Sequence, residues 1–180
     1  MKRFLKHGVP ALIIATIGIW LIFPEPDPLK ALAREVLTTN YVSASSRLDR
    51  TGNDLYWPAQ ELQAVLFVIN GARVVYGSAE GYSGITYWET RQIAIDERLS
   101  WNARFEVLAH EAGHVLQPQG LTQIEGEVFA EGVAYLVLRH YGHDRIELHA
   151  YYLAARKSGL DVLEHYATDI RHAARVLTAR

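Results

Sequence analysis

The pentapeptide His110-Glu111-Ala112-Gly113-His114 constrains this chain more than any other feature of its sequence. Two histidines four positions apart lie on one face of an α-helix, where both imidazoles can bind a single metal ion. A neutral imidazole is a good ligand for Zn²⁺, and a third protein ligand leaves one coordination position for a water molecule. Glu111 is then placed to take a proton from that water. The pattern predicts a zinc-dependent hydrolase.

The residues around this motif predict two helices joined by a short turn. Ser100 is a suitable N-cap for a helix that contains the motif, and apolar residues follow it at helical spacing. Pro118 and Gly120 end this helix soon after the second histidine, and Thr122 is a suitable N-cap for the next one. We therefore expect a helical hairpin whose return helix packs against the two histidines.

The return helix carries three carboxylates from which a third metal ligand can come. Glu127 is the predicted ligand because small residues surround it on its helix face. Glu131, one turn later, is predicted to accept the other N–H of a ligand histidine, as carboxylates commonly do around zinc. Glu125 is expected to be a solvated surface charge. Glu131 and Glu125 remain alternatives to Glu127 as the ligand.

The composition of the chain argues against several classes of ligand and partner. The chain has no cysteine, so the predicted metal site is free of thiolates. A formal net charge of −2 and the lack of a long basic run argue against a nucleic-acid partner. No glycine-rich phosphate loop occurs, so we expect no nucleotide cofactor. We therefore expect the protein to bind one zinc ion and to act on a peptide or protein substrate.

The coarse pattern of the chain predicts an α+β fold. Helices are expected over residues 27–39 and from Pro58 to Ile69. Strands are expected over Ala72–Tyr76, Ile85–Trp88 and Gln92–Asp96, where residues alternate or are β-branched. We expect these strands to form a small antiparallel sheet packed on the motif helix and on the return helix that carries the third ligand.

The motif region also resembles a known family. The stretch Ala109–His114, followed by Glu127-x-x-Ala130-x-x-Val133, resembles the ImmA/IrrE family of gluzincin-type metallopeptidase domains, including its antirestriction-related ArdC-like branch. Weaker similarity extends over roughly residues 58–178. The connection between the second histidine and the third ligand is shorter than expected for that family.

The resemblance implies a zincin-like minimal metallopeptidase domain. It implies that His110, His114 and Glu127 bind zinc and that Glu111 is the general base for hydrolysis of a peptide bond. Two other functions are kept as alternatives: a non-catalytic, membrane-tethered binding module stabilised by zinc, and a DNA-linked regulatory or antirestriction protease if the protein is cytosolic.

The N-terminal residues carry a different signal. Val9–Phe23 contains no charged residue, is preceded by Lys2, Arg3 and Lys6, and is followed by the proline-rich stretch Pro24–Pro28. This pattern predicts a membrane anchor or a signal segment, and we favour an uncleaved single-pass anchor over an exported and cleaved form. The positive flank is expected to stay inside. The catalytic domain is therefore expected on the extracytoplasmic side of the plasma membrane.

These expectations divide the chain into three parts. Residues 1–23 form the anchor or signal segment, residues 24–57 a juxtamembrane helix and loop, and residues 58–180 the metallopeptidase domain.

Residues of a substrate cleft are harder to assign from sequence. The Gly81–Trp88 segment is a candidate edge strand for pairing with an extended peptide. Its aromatic residues Tyr82, Tyr87 and Trp88 are expected to pack in the core or across strands rather than to line a site. Candidate donors to a tetrahedral oxyanion, each expected to be structural if taken alone, are His140, His143, His149, Tyr151 and Tyr152.

Overall fold

The computed structural model describes residues 27–38, 52–79, 81–154 and 159–178. These ranges contain seven helices and three strands, so the predicted α+β class is confirmed. In chain order the elements are α1 (Pro28–Thr38), α2 (Tyr56–Asn70), β1 (Arg73–Gly77), β2 (Gly84–Tyr87), β3 (Gln92–Asp96), α3 (Trp101–Leu116), α4 (Gln123–His140), α5 (Ile146–Ala154), α6 (Gly159–His165) and α7 (Ala167–Thr178).

The sheet is mixed, so the prediction of an antiparallel sheet is wrong for one of its two strand pairs. Its strand order is β1-β3-β2. β2 and β3 form an antiparallel hairpin with Ile85 opposite Ala94, whereas β1 runs parallel to β3 with Val75 opposite Ala94. After β1 the chain passes to the far edge of the sheet before it turns back into the centre. β2 therefore runs opposite to β1, and the hairpin turn brings β3 back into the direction of β1.

The two helices expected around the motif form as predicted, and their N-caps explain where each one begins. The Ser100 hydroxyl accepts a hydrogen bond from the Ala103 N–H at 3.2 Å, at the start of α3. Thr122 and Glu125 form a capping box at the start of α4, in which each side chain bonds the backbone of the other residue. These caps fix the ends of the turn between the helices.

α3 and α4 pack against each other more extensively than any other pair of elements in the described part of the chain. Gly113 is the point of closest approach, because a Cβ atom built there would lie 2.6 Å from the Cα of Ala130. Such an approach is possible only without a side chain. The backbones of the motif helix and the return helix are thus brought close together beside the second histidine.

A single apolar core lies between the helices and the inner face of the sheet. β3 is the central and most buried strand, and α4 is buried along most of its length. The largest side chains with almost no exposed surface are Tyr135, Phe105, Phe129, Leu32, Leu62, Leu66, Ile93, Ile95, Leu108, Leu138, Leu153 and Leu163. This core holds α3, α4 and the sheet in fixed positions.

α1 contributes to the same core. It buries Leu29, Leu32 and Val36 and packs mainly on α5. The helix predicted over residues 27–39 therefore lies against the helices that follow the motif, although the sequence pattern had placed it in a juxtamembrane region.

The prediction of a single-pass membrane helix needs correction. None of the helices in the described ranges is both long and apolar enough to cross a bilayer. The stretch that motivated the prediction, Val9–Phe23, lies outside the described residues. This finding contradicts the expected membrane anchor and, with it, the expected extracytoplasmic placement at the plasma membrane.

Candidate metal centre

His110, His114 and Glu127 converge at one point between α3 and α4. Glu127 lies 3.6 Å from the Nε2 atom of His110 and 3.5 Å from that of His114. One ligand atom from each residue lies within 4.8 Å of the others, and no other such group of three or more potential ligands occurs among the described residues. The three residues that the sequence predicts as metal ligands are therefore brought together.

The outer nitrogen of each histidine has a separate partner. His110 Nδ1 lies 3.0 Å from Glu131 Oε2, and His114 Nδ1 lies 3.1 Å from Gln117 Oε1. Because both partners are hydrogen-bond acceptors, each Nδ1 carries a hydrogen, and each Nε2 atom faces Glu127. Loss of the Nε2 proton leaves the tautomer with its hydrogen on Nδ1. This tautomer is the one that a metal ion at Nε2 requires.

The carboxylates strongly perturb the pKa values in the cluster. Burial lowers the pKa of His110, but hydrogen bonds to Glu127 and Glu131 outweigh this effect and raise the pKa to about 10. Hydrogen bonds from His110 and His114 hold the pKa of Glu127 well below its usual range. The carboxylates are therefore ionised at neutral pH, and His110 keeps a proton unless a cation takes its place.

Glu131 is also ionised despite its burial. Burial raises its pKa, whereas the positive charges of His149 and His110 and their hydrogen bonds lower it to about 2. An ionised Glu131 makes the Nδ1 of His110 the donor in their hydrogen bond.

The donor set fits Zn²⁺ in both chemistry and spacing. Two imidazole nitrogens and one carboxylate oxygen form a common ligand set of catalytic zinc. Ligands about 2.0–2.1 Å from a tetrahedral zinc lie about 3.3–3.4 Å from one another. The observed separations are close to this value, at 3.6 Å from His110 Nε2 to Glu127 Oε2 and 3.5 Å from His114 Nε2 to Glu127 Oε1. Only small side-chain adjustments separate the cluster from a zinc site with one open position.

The structure distinguishes Glu127 from the two alternative ligands. Glu125 is held in the capping box at the start of α4, where its carboxylate accepts hydrogen bonds from the Thr122 N–H and hydroxyl. Glu131 faces the Nδ1 side of His110, away from the Nε2 atom. Glu127 alone among the three lies within reach of both Nε2 atoms.

Glu111 is almost completely buried, with 7% of its surface exposed, and it lies beside the cluster. Its Oε2 atom accepts a hydrogen bond of 2.7 Å from the Thr86 hydroxyl on β2. β2 approaches α3 so closely here that a side chain at Gly84 would overlap Val107. The sheet therefore holds the carboxylate of the motif in a fixed orientation.

Two clefts meet at this cluster. The larger, of about 610 Å³, extends towards the turn between α3 and α4, and the smaller, of about 190 Å³, extends towards α5. The residues that line both clefts are Tyr82, Gly84, His110, Glu111 and Glu127. A ligand that occupies both clefts would therefore pass directly over the metal ligands and the buried carboxylate.

The expectation that the aromatic residues near β2 pack in the core is wrong for two of the three. Tyr82 is 64% exposed and lines both clefts, and Trp88 is 55% exposed and lines the larger one. Tyr87 is half-buried. The alternation of the strand does not extend to Tyr82 and Trp88, which lie just outside β2. Cross-strand packing therefore does not bury them.

The histidines after the return helix have distinct environments. His149 lines the smaller cleft, and its Nδ1 lies 2.6 Å from Glu131 Oε1. His143 Nε2 lies 2.7 Å from Glu106 Oε1, and His140 is exposed. Tyr152 lines the smaller cleft, whereas Tyr151 lines neither of the two clefts. Of the candidate oxyanion donors, His149 and Tyr152 are thus the two beside the site.

Sequence reasoning missed two residues that position the site. Thr86 holds Glu111, and Gln117 holds His114. Gln117 follows the motif within one helical turn, so its reach to the second histidine could have been found from spacing. Thr86 lies in another element, and no local signal connects it to the motif.

No family model, no curated protein and no solved structure matches this chain. The resemblance to ImmA/IrrE metallopeptidase domains therefore stays a prediction.

Proposed function

We propose that this protein is a zinc-dependent metallopeptidase of the HExxH, gluzincin type, with a zincin-like minimal catalytic domain. The observation that carries the proposal is the position of Glu111. A buried carboxylate lies beside a cluster of two histidines and one glutamate, where two clefts meet. A purely structural zinc site uses four protein ligands and has no need of an additional buried carboxylate.

When bound, zinc polarises the scissile carbonyl and lowers the pKa of a water molecule. Glu111 accepts one proton from this water as the oxygen attacks the carbonyl carbon. Glu111 then transfers that proton to the nitrogen of the leaving amine as the C–N bond breaks. Thr86 holds the Glu111 carboxylate for both transfers, while Glu131 and Gln117 keep the two histidines in the ligand tautomer.

The shape of the site supports an extended peptide as the substrate. β2 lies at the edge of the three-stranded sheet, and residues on and beside it line both clefts. A peptide that adds to this edge as a further strand gains main-chain hydrogen bonds independent of its sequence. Such a peptide would carry one of its amide bonds past Glu111.

The test combines metal content with hydrolysis. We expect about one zinc per chain in the purified protein and cleavage of unstructured peptides, detected by mass spectrometry. The substitution Glu111→Gln should keep the zinc and reduce cleavage by at least about 100-fold, because it removes the proton acceptor. Glu127→Ala should lose the zinc.

Glu125→Gln is the matched control, since Glu125 lies on the same helix but only caps it. This variant should keep both zinc and activity. Stoichiometric zinc without cleavage of any peptide in a broad library would overturn the peptidase proposal and favour a zinc-stabilised binding module.

A further inference from the structure

Two buried polar atoms beside the metal cluster have no hydrogen-bond partner. They are Glu106 Oε2 and His149 Nε2, the only such side-chain atoms among the described residues. Both residues line the smaller cleft of about 190 Å³, and they are 5% and 3% exposed. Buried polar atoms are nearly always paired, so two orphans on the wall of one cleft indicate a ligand that supplies the missing bonds.

Glu106 presents an acceptor to this cleft. Its Oε1 atom lies 2.7 Å from His143 Nε2 and accepts a 2.9 Å hydrogen bond from Arg145 Nη1. The carboxylate is therefore fixed by one oxygen, while the other oxygen keeps its lone pairs unused. A carboxylate oxygen in this state can be satisfied only by a donor.

His149 presents a second unpaired atom to this cleft. Its Nδ1 lies 2.6 Å from Glu131 Oε1, so this nitrogen holds the ring in place while Nε2 has no partner. Of the two unpaired atoms, the Glu106 oxygen determines the kind of partner, because a carboxylate oxygen accepts a hydrogen bond from an N–H or O–H donor.

The remaining walls of the cleft define the shape and charge of that donor. Its apolar sides come from Val107, Ala134 and Leu148, together with the rings of Tyr82 and Tyr152. Its carboxylates are Glu106, Glu111, Glu127 and Glu131. Arg145 and His143 both contact the Oε1 atom of Glu106, so its Oε2 atom is the carboxylate oxygen that is left for a ligand. A side chain with an apolar stem and a cationic end that carries several N–H donors fits such a cleft.

We propose that the smaller cleft is a specificity pocket for a lysine or arginine side chain of the substrate. The N–H groups of that side chain bind Glu106 Oε2, and its methylene groups contact Val107 and Leu148. This inference rests on the proposed peptidase function, because it places the side chain next to the bond that is cleaved.

The test compares peptides that differ only in one side-chain end group. Lysine is compared with norleucine, and arginine with citrulline, at each position beside the scissile bond. We expect kcat/KM to be about 10- to 100-fold higher for the cationic member at one position, the range that a charged hydrogen bond supplies. Glu106→Gln should bring this ratio close to one while zinc content stays unchanged.

Glu106 also holds His143 and Arg145, so its substitution can affect folding. A second variant, Leu148→Lys, places a tethered ammonium in the same cleft and should abolish the preference by repelling the substrate cation. Leu148→Met is the matched control of similar size, and it should keep the preference.

Binding gives a readout that does not need turnover. Zinc-loaded Glu111→Gln protein should bind the lysine peptide more tightly than the norleucine peptide in a calorimetric titration. Cleavage of both peptides at equal rates would overturn the pocket while leaving the peptidase function intact, and the orphan atoms would then hold buried water. If no peptide is cleaved, the peptidase function fails, and the calorimetric comparison still decides whether the cleft selects a cation.

Discussion

At the scale of single residues, Glu131 connects the metal ligands to the rest of the site. Its two oxygens separately face His110 Nδ1 at 3.0 Å and His149 Nδ1 at 2.6 Å. One carboxylate therefore fixes the tautomer of a metal ligand and of a histidine in the smaller cleft. A neutral side chain cannot accept both bonds in the same way, because an amide offers only one acceptor oxygen.

Glu131→Gln should therefore weaken zinc binding without abolishing it. The amide can accept from one of the two histidines only, so His110 loses its fixed orientation or His149 must change tautomer. We expect the Kd for zinc to rise about 10- to 100-fold, measured by competition with a chelator of known affinity. Glu125→Gln, on the same helix, should leave the Kd unchanged. An unaltered Kd in Glu131→Gln would show that His110 is oriented by packing alone.

Thr86 provides a second test at this scale. Thr86→Val removes the hydroxyl that donates to Glu111 but keeps the shape of the side chain. We expect kcat to fall about tenfold, because the proton acceptor is no longer held in place, while zinc content stays the same. Thr86→Ser should restore most of the activity. Equal kcat values for the valine and serine variants would remove Thr86 from the mechanism.

At the scale of elements, the close contact between α3 and α4 determines whether Glu127 reaches the histidines. Gly113 precedes His114 directly, and Ala130 lies one turn after Glu127, so the point of closest approach is next to the ligands. Because a glutamate side chain is short, the two helices must approach closely for the Glu127 carboxylate to lie 3.5 Å from His114 Nε2.

Gly113→Ala should separate these helices. The added Cβ would lie 2.6 Å from the Ala130 backbone, which cannot move aside like a flexible side chain. Alanine favours a helix by up to about 1 kcal/mol over glycine, but overpacking costs about 1–3 kcal/mol, so we expect lower stability together with weaker zinc binding. Urea denaturation of the zinc-free protein measures the loss of stability.

Gly126→Ala is the control for this substitution. Its Cβ would meet the end of the Gln117 side chain at 2.9 Å, and this side chain can move. Its stability should change little, although zinc binding should weaken because Gln117 orients His114. If Gly113→Ala proves as stable as the original protein, then the helices can separate at little cost.

The helical hairpin of α3 and α4 could be predicted from sequence because its signals are local. Ser100 and Thr122 cap the two helices at the expected positions, and the spacing of His110 and His114 requires a helix. The direction of β1 could not be predicted, since β1 pairs with β3 and not with the next strand in the chain. Strand pairing between distant segments is decided by packing, which leaves no short-range pattern.

The site shows the same difference between local signals, which sequence reveals, and contacts between distant segments, which it does not. The three predicted metal ligands lie on two consecutive helices, so local features such as the small residues around Glu127 were enough to predict that it lies near both histidines. The smaller cleft combines Glu106 with His149, which are distant in sequence and meet only when α5 packs on α4. Their unpaired atoms could be found only in the folded structure.

At the scale of the whole molecule, the proposed zinc site would couple metal binding, protonation and folding through the same cluster. In the zinc-free protein the pKa of His110 is about 10, above its ordinary value of 6.5. The stabilisation from its proton is therefore fully present below about pH 6.5 and is lost as the pH rises towards 10. Zinc-free protein should become less stable between about pH 7 and pH 9.

In the proposed site zinc would reverse this dependence, because a metal ion binds the neutral histidine and must displace the proton. Its affinity increases with pH, and it stabilises the folded state by about 4 kcal/mol at 1,000 times its Kd. We therefore expect the difference in Tm between zinc-loaded and zinc-free protein to grow from about pH 6.5 to pH 9, measured by calorimetry. His110→Gln should lose this difference, whereas the exposed His172→Gln should keep it. A difference that shrinks with rising pH would mean that His110 is not the group that exchanges its proton for the metal.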